Sequence, residues 1–380
     1  MPTPAIKILI NERSLVGNPI PVSLWTFANK MAIYVVYSAS DLVNPIYKGE
    51  VHSVSGWARI DKLNSIFKDL HPGAGVGTYF ISIVDPETLV EFYSREFKVY
   101  GGGISKLLLR ELDRTSNAGS IFDWKLKNST TNFFLTTRTN DFVIHIPEDE
   151  LLPLAYYAQG MKFDIKNGDD VLVSFDHTIN TVESLQTIDF QSLRLDAIID
   201  LNRWCSEFRI VTVTGWSCTV IITESLNISN YAIKFKNSFG VFEKISVVES
   251  LDYTPEFEEG EKFAQFDSIV NDFVSKNSRK SITNKYTAQY SYRSAADRLF
   301  LIDALQSDEV YFIANGREYA CELKASSQLL VSQNGNPVAV TIDIQLIDTD
   351  TFFSPLLEDS TIGLTADYED VTADGADILV

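Results

Sequence analysis

Apolar and polar positions alternate along most of the chain, and the alternation is clearest between Tyr231 and Phe353. There, Tyr231–Phe235, Val241–Val248, Tyr286–Tyr292, Val310–Phe312, Tyr319–Leu323 and Val338–Leu346 carry apolar or aromatic residues at every second position. That is the period of half-buried antiparallel strands. Asn315-Gly316 and Asn334-Gly335 fall between such runs, and Asn-Gly marks tight hairpins because both turn residues need φ > 0. Between Ser294 and Gln306 the spacing changes to that of a helix. Ser294 and Asp297 resemble a capping box, and Ala295, Leu299, Ile302 and Leu305 fall on one predicted face.

Residues 1–100 repeat the theme, with predicted strands at Ile6–Ile10, Val22–Phe27, Ala32–Tyr37, Tyr47–Val54, Thr78–Val84 and Val90–Phe97. Ala58, Ile60, Leu63, Ile66, Phe67 and Leu70 predict one helix, stopped by His71-Pro72-Gly73. Gly73, Gly75 and Gly77 form GxGxG after a helix, whereas a dinucleotide loop needs GxGxxG between strand and helix; a flexible connection is expected instead. Gly101-Gly102-Gly103 reads as a hinge, followed by a short helix in ISKLLLREL. Residues 101–228 return to strands in IFDWKL, NFFLTTRT, DFVIHI, KFDI, VLVSF, FRIVTVT and CTVIIT, a β-sandwich-like domain with a turn at Gly215-Trp216. Gln191–Leu201 fits neither period cleanly.

The expected fold is therefore mainly β, a multi-domain β-sandwich-like architecture with a few short helices. Its predicted parts are residues 1–100, 101–228 and 229–354, then an acidic tail, 355–380. Within the third part, residues 254–285 form an excursion too long for an ordinary strand connection, readable as an arm reaching a neighbour or as a surface loop. The tail is acidic and poor in aromatics, a composition expected to be disordered alone and ordered most readily by packing on a partner.

Charge and composition narrow the function. Of 380 residues, 51 are acidic and 32 basic, a net charge of −19. Such a charge argues against a binder of nucleic acid or of an anionic membrane, either of which would need a basic face, and no nucleic-acid partner is expected. Cys205, Cys218 and Cys321 are scattered and form no CxxC, so reduced core thiols are expected in place of a disulfide framework or zinc site. No apolar run approaches the ~20 residues of a membrane span, and the N-terminus has no signal-peptide pattern. A soluble protein made in a reducing compartment is expected.

The chemistry-bearing residues do not assemble into a motif. His52, His71, His145 and His177 are far apart, and there is no GxSxG, HExxH or P-loop. Asp176 and His177 are neighbours on a strand, hence on opposite faces. Glu148, Asp149 and Glu150 follow Pro147, as residues capping a turn would. Tyr156, Tyr157, Trp25, Trp57, Trp124, Trp204 and Trp216 are candidates for sugar stacking or, more commonly, for the core. No catalytic, cofactor-binding or metal-binding residue is assigned; the expectation is a protein that is not an enzyme and needs no cofactor.

Several stretches carry a resemblance. Asn18–Trp25 (NPIPVSLW) with Ala58–Leu70, then Val99–Leu112 (VYGGGISKLLLREL) with Ile121–Thr139, and finally Lys236–Ser250 with Ala296–Phe312 and Thr341–Phe353, together resemble tail and baseplate structural proteins of phages and prophages of Bacteroidetes. The likeness touches all three parts of the chain and consists of strand patterns, so no catalytic residue carries over. It implies a structural subunit of a virion tail tip or baseplate, synthesised in the host cytoplasm and forming part of a ring or hub. Its implied partners are further copies of itself and other tail proteins. The alternative is a receptor- or glycan-binding module of the tail, whose partner is a host-surface glycan or receptor.

Overall fold

The computed structural model describes residues 7–25, 31–61, 63–84, 90–105, 134–138, 142–158, 160–179, 183–201, 205–213, 217–224, 231–246, 251–292, 295–314, 316–325 and 338–350. Among these residues strand far exceeds helix, and several sheets with three short helices make a multi-domain β-sandwich-like protein. The chain forms two compact units. The first is Met1–Ser225 with Phe235–Lys244 and Leu299–Asp308; the second is Leu226–Lys234, Ile245–Arg298 and Glu309–Val380.

In the first unit, one sheet runs Arg13–Leu15, Phe97–Tyr100, Val76–Val84, Met31–Ser38, Tyr47–His52. Tyr34 pairs with Ile83 and Val36 with Ile81, so these side chains share one buried face. A three-stranded sheet of Lys7–Leu9, Val22–Trp25 and Trp57–Ile60 closes the same core. The helix expected from Ala58 is shorter, α1 (Leu63–Leu70), because Ala58 and Ile60 are buried at alternating positions of a strand. Two apolar residues spaced by two satisfied the strand period before the helical one began. His71 follows α1 directly and bonds Tyr79, 2.6 Å away.

A second sheet of this unit runs Val143–Pro147, Ser217–Thr223, Glu207–Thr212, Lys162–Asn167, Asp170–Asp176. Its first two strands are parallel and the rest antiparallel. Leu154–Ala158 pairs with Ser184–Ile188 nearby. The ambiguous Gln191–Leu201 stretch is a helix, α2 (Phe190–Leu201), begun by Asp189, whose carboxylate accepts from the Gln191 and Ser192 amides. Phe190 packs edge-on against Phe134 and Phe208 in a core that also holds Cys205 and Cys218. All three cysteines are free thiols and buried. The predicted helix in ISKLLLREL, the IFDWKL strand and the Gly215-Trp216 turn lie outside the described residues.

The glycines that read as flexible are a packed node of the first unit. Gly17 donates to the Gly102 carbonyl at 2.8 Å, Gly101 to Gly75 at 2.9 Å, Gly103 to Ser238 at 2.7 Å and Ala74 to Gly240 at 2.8 Å. A Cβ on Gly101 would collide with the Gly73 carbonyl, and one on Gly102 would sit 2.6 Å from the Phe239 Cα. Gly102 also has φ +84. The triplet is glycine because backbone meets backbone there, not because the chain must bend.

In the second unit the alternation holds closely. Val310–Ala314 and Arg317–Ala325 form a hairpin in which Ala314 pairs with Arg317 and Gly316 has φ +77, as its Asn-Gly dipeptide predicts. Arg317–Ala325 continues to Val338–Asp350, then Ser281–Tyr292, then Leu251–Tyr253. Val340, Ile342, Ile344 and Leu346 are buried at every second position, while Tyr231 stacks on Phe312 and Tyr286 packs against Phe312 at 4.9 Å. The predicted helix is present as α3 (Ala295–Gln306), whose residues from Leu299 onward belong to the first unit. A different face of it is turned inward from the one expected. Phe300, Leu301 and Ala304 are buried and Leu299 is 57% exposed. Ser294, Asn334-Gly335 and the tail fall outside the described residues.

The glycine node is testable by contrast. Gly160 shares a positive φ of +60, but a Cβ added to it would meet nothing within 4 Å. Gly160→Ala should therefore cost only the left-handed strain, about 1–2 kcal/mol. Gly102→Ala should cost that plus a clash with rigid backbone, roughly 3 kcal/mol or more. Urea unfolding of the two variants measures the gap; equal midpoints would show that the node is loosely packed.

Candidate functional site

The side chains with reactive chemistry stay dispersed in space as in sequence. His71 bonds Tyr79, His177 bonds Tyr156 at 2.9 Å, and His52 and His145 are exposed on separate strands. Asp176 accepts from Thr178 and pairs with Lys162, which lowers its carboxyl to about 2. Among the described residues no three His, Cys, Asp or Glu side chains gather as a metal site would need. Glu148–Glu150 is a single 3-10 turn whose ends are tied by ion pairs, Glu148 to Arg194 and Glu150 to Arg138. Tyr156 and Tyr157 are buried, and burial pushes the Tyr156 phenol up to about 12. Trp25 and Trp57 are cross-strand partners packed edge-on at 4.3 Å, with Trp57 partly exposed. Trp124, Trp204 and Trp216 lie outside the described residues.

One cluster of polar groups is built into the interior of the first unit. Glu243 is buried and receives the Thr136 hydroxyl and, at 2.6 Å, the Asn237 amide. Asn237 also donates to the Leu135 carbonyl and accepts from the Phe239 and Val241 amides, which fixes the turn between them. Arg138 spans the cluster, bonded to the Lys244 carbonyl, paired with Glu150 and lying 3.7 Å from the Phe300 ring centroid. Asp303 of α3 takes Thr137 at 2.9 Å and the Ser238 amide at 3.1 Å. Beside it lies a recess of ≈ 10 Å³, no larger than a water molecule, lined by Leu135, Arg138, Glu150, Pro153 and Val241 among others. Burial raises the Glu243 carboxyl above its ordinary value, with Asp303 adding to the rise; Arg138, Thr136 and Asn237 oppose it. Nearly every group here is held by its neighbours, as a network that fixes loops requires.

The exposed feature is in the second unit. The excursion after Tyr253 is a hairpin of Lys262–Asp267 against Asp272–Asn277, with Phe266 opposite Phe273 and their rings 5.5 Å apart. At its base Glu256–Glu258 pairs with the start of Ser281–Tyr292, and the strands approach so closely that a Cβ on Gly260 would strike Ser278. Ser268–Asn271 makes the turn, with Asn271 at φ 51 and the Ile269 amide bonded to Asp267 at 2.8 Å. From residue 256 to 280 every side chain is exposed except Gly260 and Asp267, which are half-buried. Ile269 is 93% exposed and Phe273 68%, and Phe257, Phe263, Phe266 and Val270 are exposed with them. Soluble surfaces rarely leave so many large apolar groups on one element uncovered.

The buried carboxylate generates a pH dependence whose sign is fixed. A raised native pKa means that the folded state holds the proton longer than the unfolded chain. Below the ordinary carboxylate range both states are protonated and Glu243 costs nothing. As pH climbs beyond that range the unfolded chain gains a solvated carboxylate first, so native stability falls until the native pKa is passed. Glu243→Gln, which keeps a carbonyl acceptor for Thr136 and Asn237, should therefore gain on the wild type with rising pH, by on the order of 1 kcal/mol. Thermal unfolding of both chains at a series of pH values decides it; parallel curves would mean that Glu243 titrates normally.

No family model and no curated protein matches the chain. Among solved structures it is similar to a marsupial T cell receptor at 6% identity and TM-score 0.22, covering 74% of this chain and 96% of that one. It is also similar to the full extracellular region of plexin A4 at 7% identity and TM-score 0.20, covering 92% of this chain and 40% of that one. At such scores neither likeness carries an argument about fold or function.

Proposed function

We propose that the protein is a structural subunit of a phage tail tip or baseplate that assembles through its β domains into a ring or hub. The observation that carries this reading is the hairpin at 256–283, whose apolar side chains are exposed on an element that, among the described residues, pairs with the rest of its unit at its base. Two-stranded hairpins are marginally stable alone in water, so one kept at this length with this surface is best understood as completed by another molecule. The resemblance in the strand patterns points the same way and supplies the setting. The net charge of −19 suits a subunit that stays soluble until specific contacts form.

The glycan-binding alternative retains one supporting feature, the partly exposed Trp57 beside Trp25. A glycan array with Trp57→Ala as the control separates the two readings.

The assembly reading is tested by mass. The full chain, raised in concentration, should pass from a monomer to a closed oligomer by light scattering and electron microscopy. A chain in which a short Gly/Ser linker replaces residues 256–283 should remain folded and monomeric. A deletion variant that assembles as the intact chain does would reduce the hairpin to a surface loop, and a chain that never associates would remove the reading itself.

A further inference from the structure

We propose that the occupant of the hairpin is the same hairpin of a second copy of this chain, placed edge to edge with the descending strand of one beside the ascending strand of the next. This rests on the assembly reading above and names its contact. Three observations carry it.

The first is main-chain valence. Lys262–Asp267 and Asp272–Asn277 form a sheet of two strands only, so among the described residues the outer edge of each has no ladder partner. Open edges of this kind are templates for another strand. Hairpins pointing the same way, side by side, present an ascending edge to a descending one, and the added pairing is antiparallel like the pairing within each hairpin.

The second is charge. The ascending limb, 256–267, carries Glu256, Glu258, Glu259, Glu261 and Asp267 against Lys262 alone. The descending limb, 272–283, carries Lys276, Arg279 and Lys280 against Asp272. The two edges therefore have opposite sign, and copies set side by side bring unlike limbs together at the same height. In a chain this acidic, a basic limb is the surface that lets another copy approach. A contact that uses two different edges is heterologous, and it closes into a ring when the rotation permits.

The third is the placement of the apolar groups. Phe266 and Phe273 share one face as cross-strand partners, so side-by-side hairpins would line up these pairs into a continuous apolar band. Asp267 and Asp272 sit opposite each other just below the turn, where a lipid-inserting tip would have to bury them at high cost.

The test uses edge-specific charge reversal in the full chain. Glu259→Lys with Glu261→Lys makes the ascending limb basic between 259 and 267, where Asp267 is then the one acidic residue beside Lys262 and the two new lysines. Lys276→Glu with Lys280→Glu makes the descending limb acidic; all four side chains are exposed, so folding should be unaffected and circular dichroism checks it. Each double variant alone should associate on the order of 100-fold more weakly than the wild type. An equimolar mixture of the two should recover association, as should one chain carrying all four changes. Hydrogen exchange at 262–277 should slow with concentration in the wild type and in the mixture. If deleting the hairpin abolishes assembly but neither double variant weakens it, edge pairing is wrong while the assembly reading stands. Failure of the mixture to recover, or binding of the monomer to phosphatidylglycerol vesicles through 262–277, overturns the pairing too. An intact chain that stays monomeric overturns both.

Discussion

Main-chain hydrogen bonding across strands is the constraint on which this structure depends. A protein built chiefly of strands carries a row of donors and acceptors along every edge, and each row must end on another strand, a side chain or water. In the first unit, the Ser94 hydroxyl accepts the Ile81 amide beside the short Glu91–Tyr93 strand, and Asn237 satisfies the amides of its own turn. In the second unit, the long Ser281–Tyr292 strand has Val338–Asp350 on one side and, on the other, Leu251–Tyr253 and Glu256–Glu258 in succession. Beyond residue 258 the chain leaves this sheet for the hairpin, a separate pair of strands whose outer edges have no ladder partner among the described residues.

The parts of this arrangement that were legible in the sequence are those where a single local period decides the outcome. Val340, Ile342, Ile344 and Leu346 alternate because one face is buried, and Gly316 follows an Asn because the turn there needs positive φ. Local periods fail where two patterns overlap. Ala58 and Ile60 continued smoothly into the spacing of Leu63 and Phe67, so a strand and a helix looked like one helix. In α3, Leu299 lay on the expected face, yet the larger Phe300 packs edge-on against Phe235 and sets the helix's rotation.

Contacts between distant residues were not legible at all. Gly101-Gly102 and Gly240 appear as separate breaks in the sequence, and only the fold shows that each is glycine because another backbone lies against it. The same holds for Glu243, Arg138 and Glu150, three charges far apart along the chain whose meeting no spacing reveals. The hairpin was visible only as excess length. Its turn, Ser268-Ile269-Val270-Asn271, has no Gly or Pro, and its phenylalanines at 263 and 266 break the strand period; the one local hint was Asn271, a residue that tolerates the left-handed region.

That hairpin also shows why length and exposure together mean more than either alone. Ordering its backbone costs roughly 1–2 kcal/mol per residue, and within one copy few buried contacts offset this, since its side chains face water on both sides. In the proposed closed row of hairpins the balance would change: each would gain ladder bonds along both edges, lose apolar surface from water and set unlike charges side by side. The ordering cost would then be met by association and not by the fold of a single chain. A subunit built in the proposed way would couple the shape of its contact to its neighbour's arrival, and its overall acidity would resist association everywhere that the two limbs do not meet.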